Sequence, residues 1–224
     1  MNKNTPYHHF VLFGSQITDQ ANVAYQYILQ KLSSKYKSVN FHLASPTNFE
    51  KLILEIKDAA IFCPLFLMKG IEYNKVETKL KDIFPFEKNI LKPISHYEAF
   101  LKKVFKGDTN TVFLMHGSTK YDNFQKHSHI ISFGKNLGYQ HFCFLEGNPS
   151  FQDVITNLLS KYDKTKISPL LFFTNNHIKN DVVANFLSTY ENKRWTLEMG
   201  LLERQDTLNA IIEIIDAEIG SITK

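Results

Sequence analysis

Three residues that can act as acids, bases or metal ligands stand at the ends of predicted strands in the second half of the sequence. His116 ends one apolar run, Glu146 ends the next, and His177 follows the third. The carboxyl ends of parallel strands meet at one edge of a sheet, so we expect the three side chains to lie close together. Two imidazoles and a carboxylate are a ligand set that suits Fe, Co, Ni or Zn. The sequence therefore predicts one site, with these three residues as its candidates.

Each of the three residues also has a purely structural interpretation. In that interpretation the sole role of His116 is a hydrogen bond to the loop that follows it. The sole role of Glu146 is to stabilise the amino end of the next helix, by about 0.3–1 kcal/mol. His177 opens a predicted helix, where the helix dipole disfavours imidazolium, so we expect a neutral ring that can accept a proton or bind a metal. Their conjunction at one sheet edge, rather than any one of them, favours a functional site.

Other candidates for chemistry are weaker. His127 and His129 lie two positions apart on a predicted helix, so their rings point to different faces, and we predict that both are solvated surface residues. Gly14 and Gly117 each stand alone in their turns, so the chain has neither the dinucleotide fingerprint nor the phosphate loop. Ser118 does not stand in the turn motif of the serine hydrolases. The sequence predicts no nucleotide cofactor and no serine nucleophile.

The chain repeats itself at a spacing of about a hundred residues. Gly14 and Gly117, which are 103 positions apart, end the matching runs FVLFG and FLMHG, and Pro64 and Pro169 begin another matching pair of runs. Each copy is much longer than a solenoid repeat, so we predict two related lobes rather than an array. The second copy has a histidine where the first has Phe13, which indicates that the second lobe carries the chemistry.

Short apolar runs alternate with amphipathic stretches, which is typical of parallel sheets with helices on their faces. Strands are predicted near 9–13, 39–43, 60–67, 111–115, 141–145 and 168–173, and helices near 18–36, 47–57, 71–83, 121–137, 150–162, 177–189 and 203–221. A capping box at Ser95 and Glu98 predicts a further helix that ends at Gly107. We predict an α/β fold of two similar lobes, residues 1–98 and the catalytic lobe 99–224, with the active cleft between them.

Composition excludes several classes of protein. The 224 residues are 43% hydrophobic and 13% aromatic, which is typical of a globular chain. The net charge of +4 comes from scattered lysines without an arginine-rich patch, so we expect no nucleic-acid partner, although a mild positive field would favour a small anionic ligand. No apolar run approaches the roughly 20 residues of a membrane span and no signal peptide is visible, so we expect a cytoplasmic protein. Cys63 and Cys143 stand in apolar runs and are predicted to be buried thiols.

Taken together, these motifs resemble the anaerobic sirohydrochlorin cobaltochelatase family, which belongs to the ATP-independent chelatases that include protoporphyrin ferrochelatase. The resemblance rests on the stretches VFLMHGS (112–118), LE (145–146), PLLFF (169–173), HIKND (177–181) and GLLE (200–203). It implies that His116, Glu146 and His177 are the catalytic and metal-binding residues. It also implies insertion of a divalent metal, Co²⁺ first and Fe²⁺ or Ni²⁺ as alternatives, into a sirohydrochlorin-type tetrapyrrole, as in cobalamin or siroheme-type cofactor biosynthesis.

In this interpretation the metal ion and the tetrapyrrole are substrates and no cofactor is permanently bound. The chain can form a homo-oligomer or act as a monomer. Two departures from the family pattern bear on activity. Phe66 stands where the first lobe usually has a histidine, and residues 185–194 replace an acidic, serine-containing loop before Trp195. The alternative function is therefore a non-catalytic carrier of a haem-like tetrapyrrole or of a metal, derived from a chelatase.

Overall fold

The computed structural model describes residues 8–14, 18–56, 60–83, 90–120, 122–174, 177–184, 186–190 and 194–222. The chain divides into two compact units. Unit 1 comprises residues 1–100 and Leu208–Lys224, and unit 2 comprises Leu101–Thr207. Each unit contains one parallel sheet flanked by helices, which confirms the predicted α/β fold class. Among the described residues, no helix is both long enough and apolar enough to span a bilayer.

The sheet of unit 1 has the strand order β2-β1-β3, with every pair parallel. Its strands are β1 (His9–Gly14), β2 (Asn40–Ala44) and β3 (Ala60–Leu65), and the helices between and after them are α1 (Asp19–Lys35), α2 (Phe49–Glu55) and α3 (Ile71–Ile83). Every residue of β3 is buried, which is the continuous apolar pattern expected of a parallel strand covered on both faces. A 3₁₀ helix, Ile94–His96, and α4 (Glu98–Val104) lead into unit 2.

The sheet of unit 2 has the order β5-β4-β6-β7, again with every pair parallel. Its strands are β4 (Val112–Gly117), β5 (His141–Glu146), β6 (Thr165–Pro169) and β7 (Trp195–Leu197). The helices are α5 (Asn123–Lys126), α6 (Ser128–Asn136), α7 (Phe151–Lys161), a π-helix His177–Ala184, a 3₁₀ helix Leu187–Thr189 and α8 (Gln205–Ile222), which continues into unit 1. One sheet face packs on α7 through a cluster that includes Leu114, Cys143 and Ile155.

The internal repeat extends to individual hydrogen bonds. After β3, the N–H of Ile94 donates to the carbonyl of Phe66 at 3.0 Å, and after β6 the N–H of Leu201 donates to the carbonyl of Leu171 at 2.7 Å. Phe66 and Leu171 are 105 positions apart, the same spacing that separates Pro64 from Pro169 in the sequence. The two units therefore share the path of the chain beyond their third strand as well as the order of their strands.

Four predicted segments differ from the structure. The helix predicted at 177–189 is a π-helix, His177–Ala184, followed by a 3₁₀ helix, Leu187–Thr189. The strand predicted at 168–173 is β6, which lies earlier at Thr165–Pro169. The single helix predicted at 121–137 is divided into α5 and α6. The helix predicted from Ser95 is divided as well, because Ser95 lies inside the 3₁₀ helix and its N–H donates to the carbonyl of Leu67 at 2.9 Å.

The last helix also differs from the predicted division of the chain, which placed residues 99–224 in one lobe. From Leu208 onward α8 belongs to unit 1. The hydroxyl of Tyr36, which follows α1, donates to the carboxylate of Asp216 at 2.9 Å, and Lys35 forms an ion pair with the same carboxylate at 2.6 Å. These contacts attach α8 to α1. A helix that completes the first unit from the far end of the chain cannot be recognised from local sequence.

Candidate active site

His116 stands at the exposed end of β4. Residues 112–115 are buried, whereas the His116 side chain is exposed. Its Nδ1 lies 3.2 Å from the carbonyl oxygen of Gly117. A carbonyl oxygen only accepts, so this contact assigns the proton to Nδ1 and the lone pair to Nε2. An imidazole in this tautomer can accept a proton or ligate a metal ion through Nε2.

Glu146 ends β5 and is also exposed. The register of the two strands pairs Gly117 with Glu146, so His116 and Glu146 stand at the same edge of the sheet, offset by one residue. Alternate side chains of a strand point to opposite faces. Leu114 and Leu145 both pack in the cluster between the sheet and α7, so they lie on the same face of the sheet. His116, two residues after Leu114, lies on that face, whereas Glu146, one residue after Leu145, lies on the opposite face. A ligand that contacts both side chains must therefore lie beyond the strand ends.

The loops that follow β4 and β5 touch each other through backbone atoms. Gly117 has a φ of +77° and Gly147 a φ of +89°, which are values that residues with a side chain rarely adopt. A Cβ on Gly117 would overlap the carbonyl of Glu146, and a Cβ on Gly147 would overlap the carbonyl of Ser118. Glycine is therefore required at both positions for the two strand ends to approach so closely.

A buried asparagine, Asn123 at the start of α5, holds these two loops together. Its Nδ2 donates to the carbonyl of Ser118 at 3.1 Å and to the carbonyl of Glu146 at 2.9 Å. Only 2% of Asn123 is exposed, so the donor side of both bonds is buried, while the bonds themselves are part-buried. Asn123 could not be recognised from the sequence, because a polar residue at a helix start is ordinary and nothing local shows that two distant carbonyls converge on it.

His127 is buried beneath the same edge, so the prediction that it is a solvated surface residue was wrong. Its Nδ1 lies 2.8 Å from the carbonyl of Asn123, and its ring lies 5.2 Å from that of Phe144. Burial lowers the pKa of His127, and the nearby Lys126 and His116 lower it further, against the opposing effect of the Asn123 carbonyl. The helical argument failed because the chain changes from α5 to α6 at this residue. His129 is exposed, as predicted.

His177 is the first residue of the π-helix. Segments of π-helix are uncommon in proteins and often mark functional sites. The position of its side chain lies outside the part of the chain that the structure describes. Ile178 and Val182 anchor the π-helix in the core of unit 2, with 0% and 1% of their surface exposed. The backbone at the start of this helix is thus tied to the core through the residue that follows His177.

The chain that leads to His177 is held by Glu203. This carboxylate accepts hydrogen bonds from the N–H of Thr174 at 2.7 Å, from its hydroxyl at 2.6 Å, and from the N–H of Gly200 at 2.6 Å. A Cβ on Gly200 would lie 2.7 Å from the Phe172 carbonyl oxygen, too close for any side chain. The stretch GLLE noted in the sequence therefore has a physical role that sequence reasoning missed, since it clamps the loop after β6.

The family model of the cobalt chelatases, CbiK, matches residues 20–199 of this chain. The match spans well over half of its length. The chain belongs to the CbiK cobalt chelatase family. No curated protein matches this CbiK-family chain in sequence.

Solved structures share the fold of this CbiK-family protein. SirB from Bacillus subtilis, in a structure with Fe³⁺, has a TM-score of 0.66 at 18% identity, and the alignment covers 95% of this chain and 96% of SirB. CbiX, described as the terminal enzyme of siroheme biosynthesis in denitrifying bacteria, has a TM-score of 0.62 at 16% identity, with coverage of 93% and 97%. DR2241 from Deinococcus radiodurans, a multi-domain protein with structural similarity to chelatases, has a TM-score of 0.61 at 11% identity, with coverage of 92% and 54%.

The metal-ligand set of this CbiK-family protein stays a prediction. The structure brings His116 and Glu146 to one sheet edge, in neighbouring strands. Among the side chains that the structure describes, which do not include that of His177, no three of His, Cys, Asp and Glu stand close enough together to hold a metal ion.

In unit 1 of the CbiK-family chain, Phe66 belongs to an aromatic group. Its ring stacks on Phe13 at 5.8 Å between centroids and meets Tyr73 edge-on, also at 5.8 Å. Phe13 and Tyr73 are both buried. The position where the first lobe was expected to carry a histidine therefore contributes packing in this protein, and any polar chemistry must come from other residues.

Proposed function

We propose that this protein inserts a divalent metal ion into a sirohydrochlorin-type tetrapyrrole without ATP, as a lyase of cobalamin or siroheme-type cofactor biosynthesis in the cytoplasm. Co²⁺ is the first choice of metal, with Fe²⁺ and Ni²⁺ as alternatives. The observation that carries the proposal is the cobalt chelatase family match over residues 20–199, in a chain whose strand β4 ends in an exposed histidine. The metal and the tetrapyrrole are the two substrates.

The reaction replaces two pyrrole protons by one metal dication. Two N–H bonds break, the metal loses bound water, and two protons leave for solvent. His116 is suited to the proton-transfer step, because its Nδ1 contact with the Gly117 carbonyl leaves Nε2 as the basic nitrogen. One imidazole cannot bind the metal and accept a proton at the same moment. We therefore assign metal binding and proton acceptance to His116 and His177 as a pair. Which of the two binds the metal and which accepts the proton depends on the order of the steps.

Glu146 is proposed to lower the electrostatic cost of bringing the dication to the site. A carboxylate near an incoming metal ion offsets part of the solvation free energy that the ion loses with its hydration shell. Since Glu146 is exposed at the end of β5, it can also exchange protons with water. Its backbone is fixed by Asn123, so the carboxylate starts from a defined point although its own side chain is solvated.

Asn123 and Glu203 are proposed as positioning residues. Neither is assigned a bond to a substrate. Asn123 sets the spacing of the loops after β4 and β5. Glu203 joins Gly200 to Thr174, which lies three positions before His177. Reactions that require aligned partners lose about 10²-fold in rate when a group moves by about 1 Å, so such clamps matter for turnover.

A second candidate function is a tetrapyrrole carrier without turnover. The aromatic packing of Phe66, in the position where the resemblance leads us to expect a histidine, favours this alternative. A carrier would bind the pigment in stoichiometric amount and would leave its metal content unchanged. The two functions therefore differ in whether one chain converts more than one pigment molecule.

The test is anaerobic absorbance spectroscopy of the purified protein with sirohydrochlorin in excess and Co²⁺, Fe²⁺ or Ni²⁺. We expect repeated conversion of the free-base spectrum to the metallated one, with the fastest metal identifying the preferred substrate. His116→Ala should abolish conversion and keep pigment binding, whereas His129→Ala, which removes an exposed imidazole elsewhere in unit 2, should change neither. A His116→Ala rate near that of the wild type would place the chemistry elsewhere. Tight pigment binding without turnover in the wild type would establish the carrier.

A further inference from the structure

Two histidines meet on the sheet of unit 1, among residues that the proposed chemistry does not use. His9 begins β1 and His42 lies in the middle of β2, and both are half-buried. The Nδ1 of His9 lies 3.0 Å from the Nε2 of His42. The register pairs Val11 with His42, so His9 and His42 project from the same face, one pleat apart on adjacent strands.

The spacing of the two nitrogens fits a shared metal ion. Two nitrogens that are each about 2.0–2.1 Å from one ion lie about 2.9 Å apart at a right angle and about 3.3 Å apart at the tetrahedral angle. The observed 3.0 Å falls within this interval. The same distance suits a hydrogen bond between one protonated and one unprotonated nitrogen, so distance alone leaves two interpretations.

The internal repeat shows that the fold does not require polar groups at these positions. When the units are aligned at the glycines that end β1 and β4, His9 corresponds to Val112 and His42 to Cys143. Val112 and Cys143 are both fully buried in unit 2. An apolar pair therefore satisfies this point of the sheet. In unit 1 this point of the sheet carries two nitrogens that are able to ligate a metal ion, and solvent can still contact both residues.

The chemistry of the two side chains also suits such an ion. Neutral imidazole is a ligand for borderline divalent ions such as Zn²⁺, Ni²⁺, Cu²⁺ and Co²⁺.

We propose that His9 and His42 form a two-histidine binding site for a divalent transition-metal ion on the sheet of unit 1. The Nδ1 of His9 and the Nε2 of His42 are its protein ligands, and water fills the remaining positions. The site uses none of the residues proposed for catalysis, so it binds metal whether or not the chain metallates a tetrapyrrole.

The experiment measures Zn²⁺ bound per chain by equilibrium dialysis of the metal-free, full-length protein, without tetrapyrrole. His9→Val places in β1 the residue type that stands at the matching position, Val112, of β4. His42→Val makes the equivalent apolar change in β2, so the sheet should tolerate both substitutions. Thermal unfolding without metal checks the fold. We expect each variant to lose one Zn²⁺ site or to bind it more weakly by about 10- to 100-fold, at least the effect of losing an outer-shell partner. His116→Ala and His129→Ala should retain this site.

A second measurement separates a metal site from a hydrogen-bonded pair. In the Cu²⁺ complex of His116→Ala, electron paramagnetic resonance should show coupling to two nitrogens. Adding His42→Val to this variant should remove that signal. Equal Zn²⁺ binding by the wild type, His9→Val and His42→Val would overturn the proposal and leave the pair as a hydrogen bond only. Because no pigment is present, failure of the chelatase test has no effect on this result.

Discussion

The side-chain amide of Asn123 donates a hydrogen bond of 2.9 Å to the backbone carbonyl of Glu146. The same nitrogen donates to the carbonyl of Ser118 at 3.1 Å. Ser118 follows β4 and Glu146 ends β5, so one buried side chain sets the distance between the ends of two strands. Both residues that carry the proposed chemistry are close along the chain, since Glu146 bears one of the bonded carbonyls and His116 lies two positions before the other.

Asn123→Ala should destabilise the protein and slow metal insertion by more than its loss of stability explains. The substitution removes the donor for two part-buried carbonyls, so we expect a cost near the lower end of the about 1–3 kcal/mol of an unsatisfied buried group. Urea unfolding gives the stability, and the rate is compared at a temperature where the variant is folded. Asn136→Ala, an exposed change on α6, is the control. A folded Asn123→Ala protein with wild-type turnover would show that the loop spacing does not matter for activity.

Gly117→Ala should lower the free energy of unfolding by more than Gly107→Ala does. Both glycines have positive φ, and a side chain in that conformation costs about 1–2 kcal/mol. At Gly117 the added Cβ would also overlap the Glu146 carbonyl, whereas at Gly107 its nearest neighbour is the flexible amine of Lys166 at 3.8 Å. Chemical denaturation of both variants measures the difference. Equal losses would mean that the contact with Glu146 relaxes without cost.

Glu203→Ala should reduce turnover and stability together, because it leaves the N–H of Thr174 without its acceptor and the N–H of Gly200 with only the Thr174 hydroxyl oxygen, at 3.1 Å. An orphaned donor costs about 1–3 kcal/mol. Glu203→Gln keeps one acceptor oxygen and should retain part of both properties. Glu213→Ala, an exposed change on α8, is the control for loss of a carboxylate. The idea fails if Glu203→Ala unfolds at the same urea concentration as the wild type.

Acid should destabilise the protein in part through His127. Burial lowers its pKa in the folded state, so the unfolded chain, with a histidine pKa of about 6.5, binds more protons as the pH falls. This contribution to stability is complete above about pH 6.5. It decreases as the pH falls from there and levels off below the folded-state pKa. His127→Gln keeps a hydrogen-bond donor but cannot titrate.

The measurement for His127 is the free energy of unfolding from about pH 7.5 to about pH 5, a range that extends about 1 unit above and about 1.5 units below the ordinary histidine pKa of about 6.5. The curve of His127→Gln should be flatter than that of the wild type. His129→Gln, at an exposed position, should follow the wild type. Burial also lowers the pKa values of His42 and His141, so a residual slope is expected in every variant. Parallel curves for the wild type and His127→Gln would contradict the prediction.

Much of the fold was predictable from local patterns. The helix predicted at 71–83 has those bounds in the structure, and β1, β2, β4 and β5 lie within one or two residues of their predicted positions. These elements carry long apolar runs or clear helical periodicity. The predicted buried thiols, Cys63 and Cys143, are buried, and burial raises the pKa of each.

Other elements carried too little local signal. β7 has only three residues, which is too short for an alternating pattern to show, and it was not predicted. His127 was assigned to the surface because a continuous helix was assumed through the turn between α5 and α6. The three-residue metal site of His116, Glu146 and His177 stays a prediction. His116 and Glu146 lie at the same edge of the sheet. The face of the sheet to which each side chain points depends on the register of the two strands, which the sequence spacing does not give.

By itself, the sequence determined the parallel α/β class, the duplication, and the presence of a histidine and a glutamate at strand ends. Apolar runs, glycine turns and repeats are properties of neighbouring residues, so no folding is needed to see them. Only the tertiary structure decided that Asn123 binds the carbonyl of Glu146 and that His9 meets His42. Those contacts join residues 23 and 33 positions apart, and they depend on strand register, which is set by the packing of the whole unit.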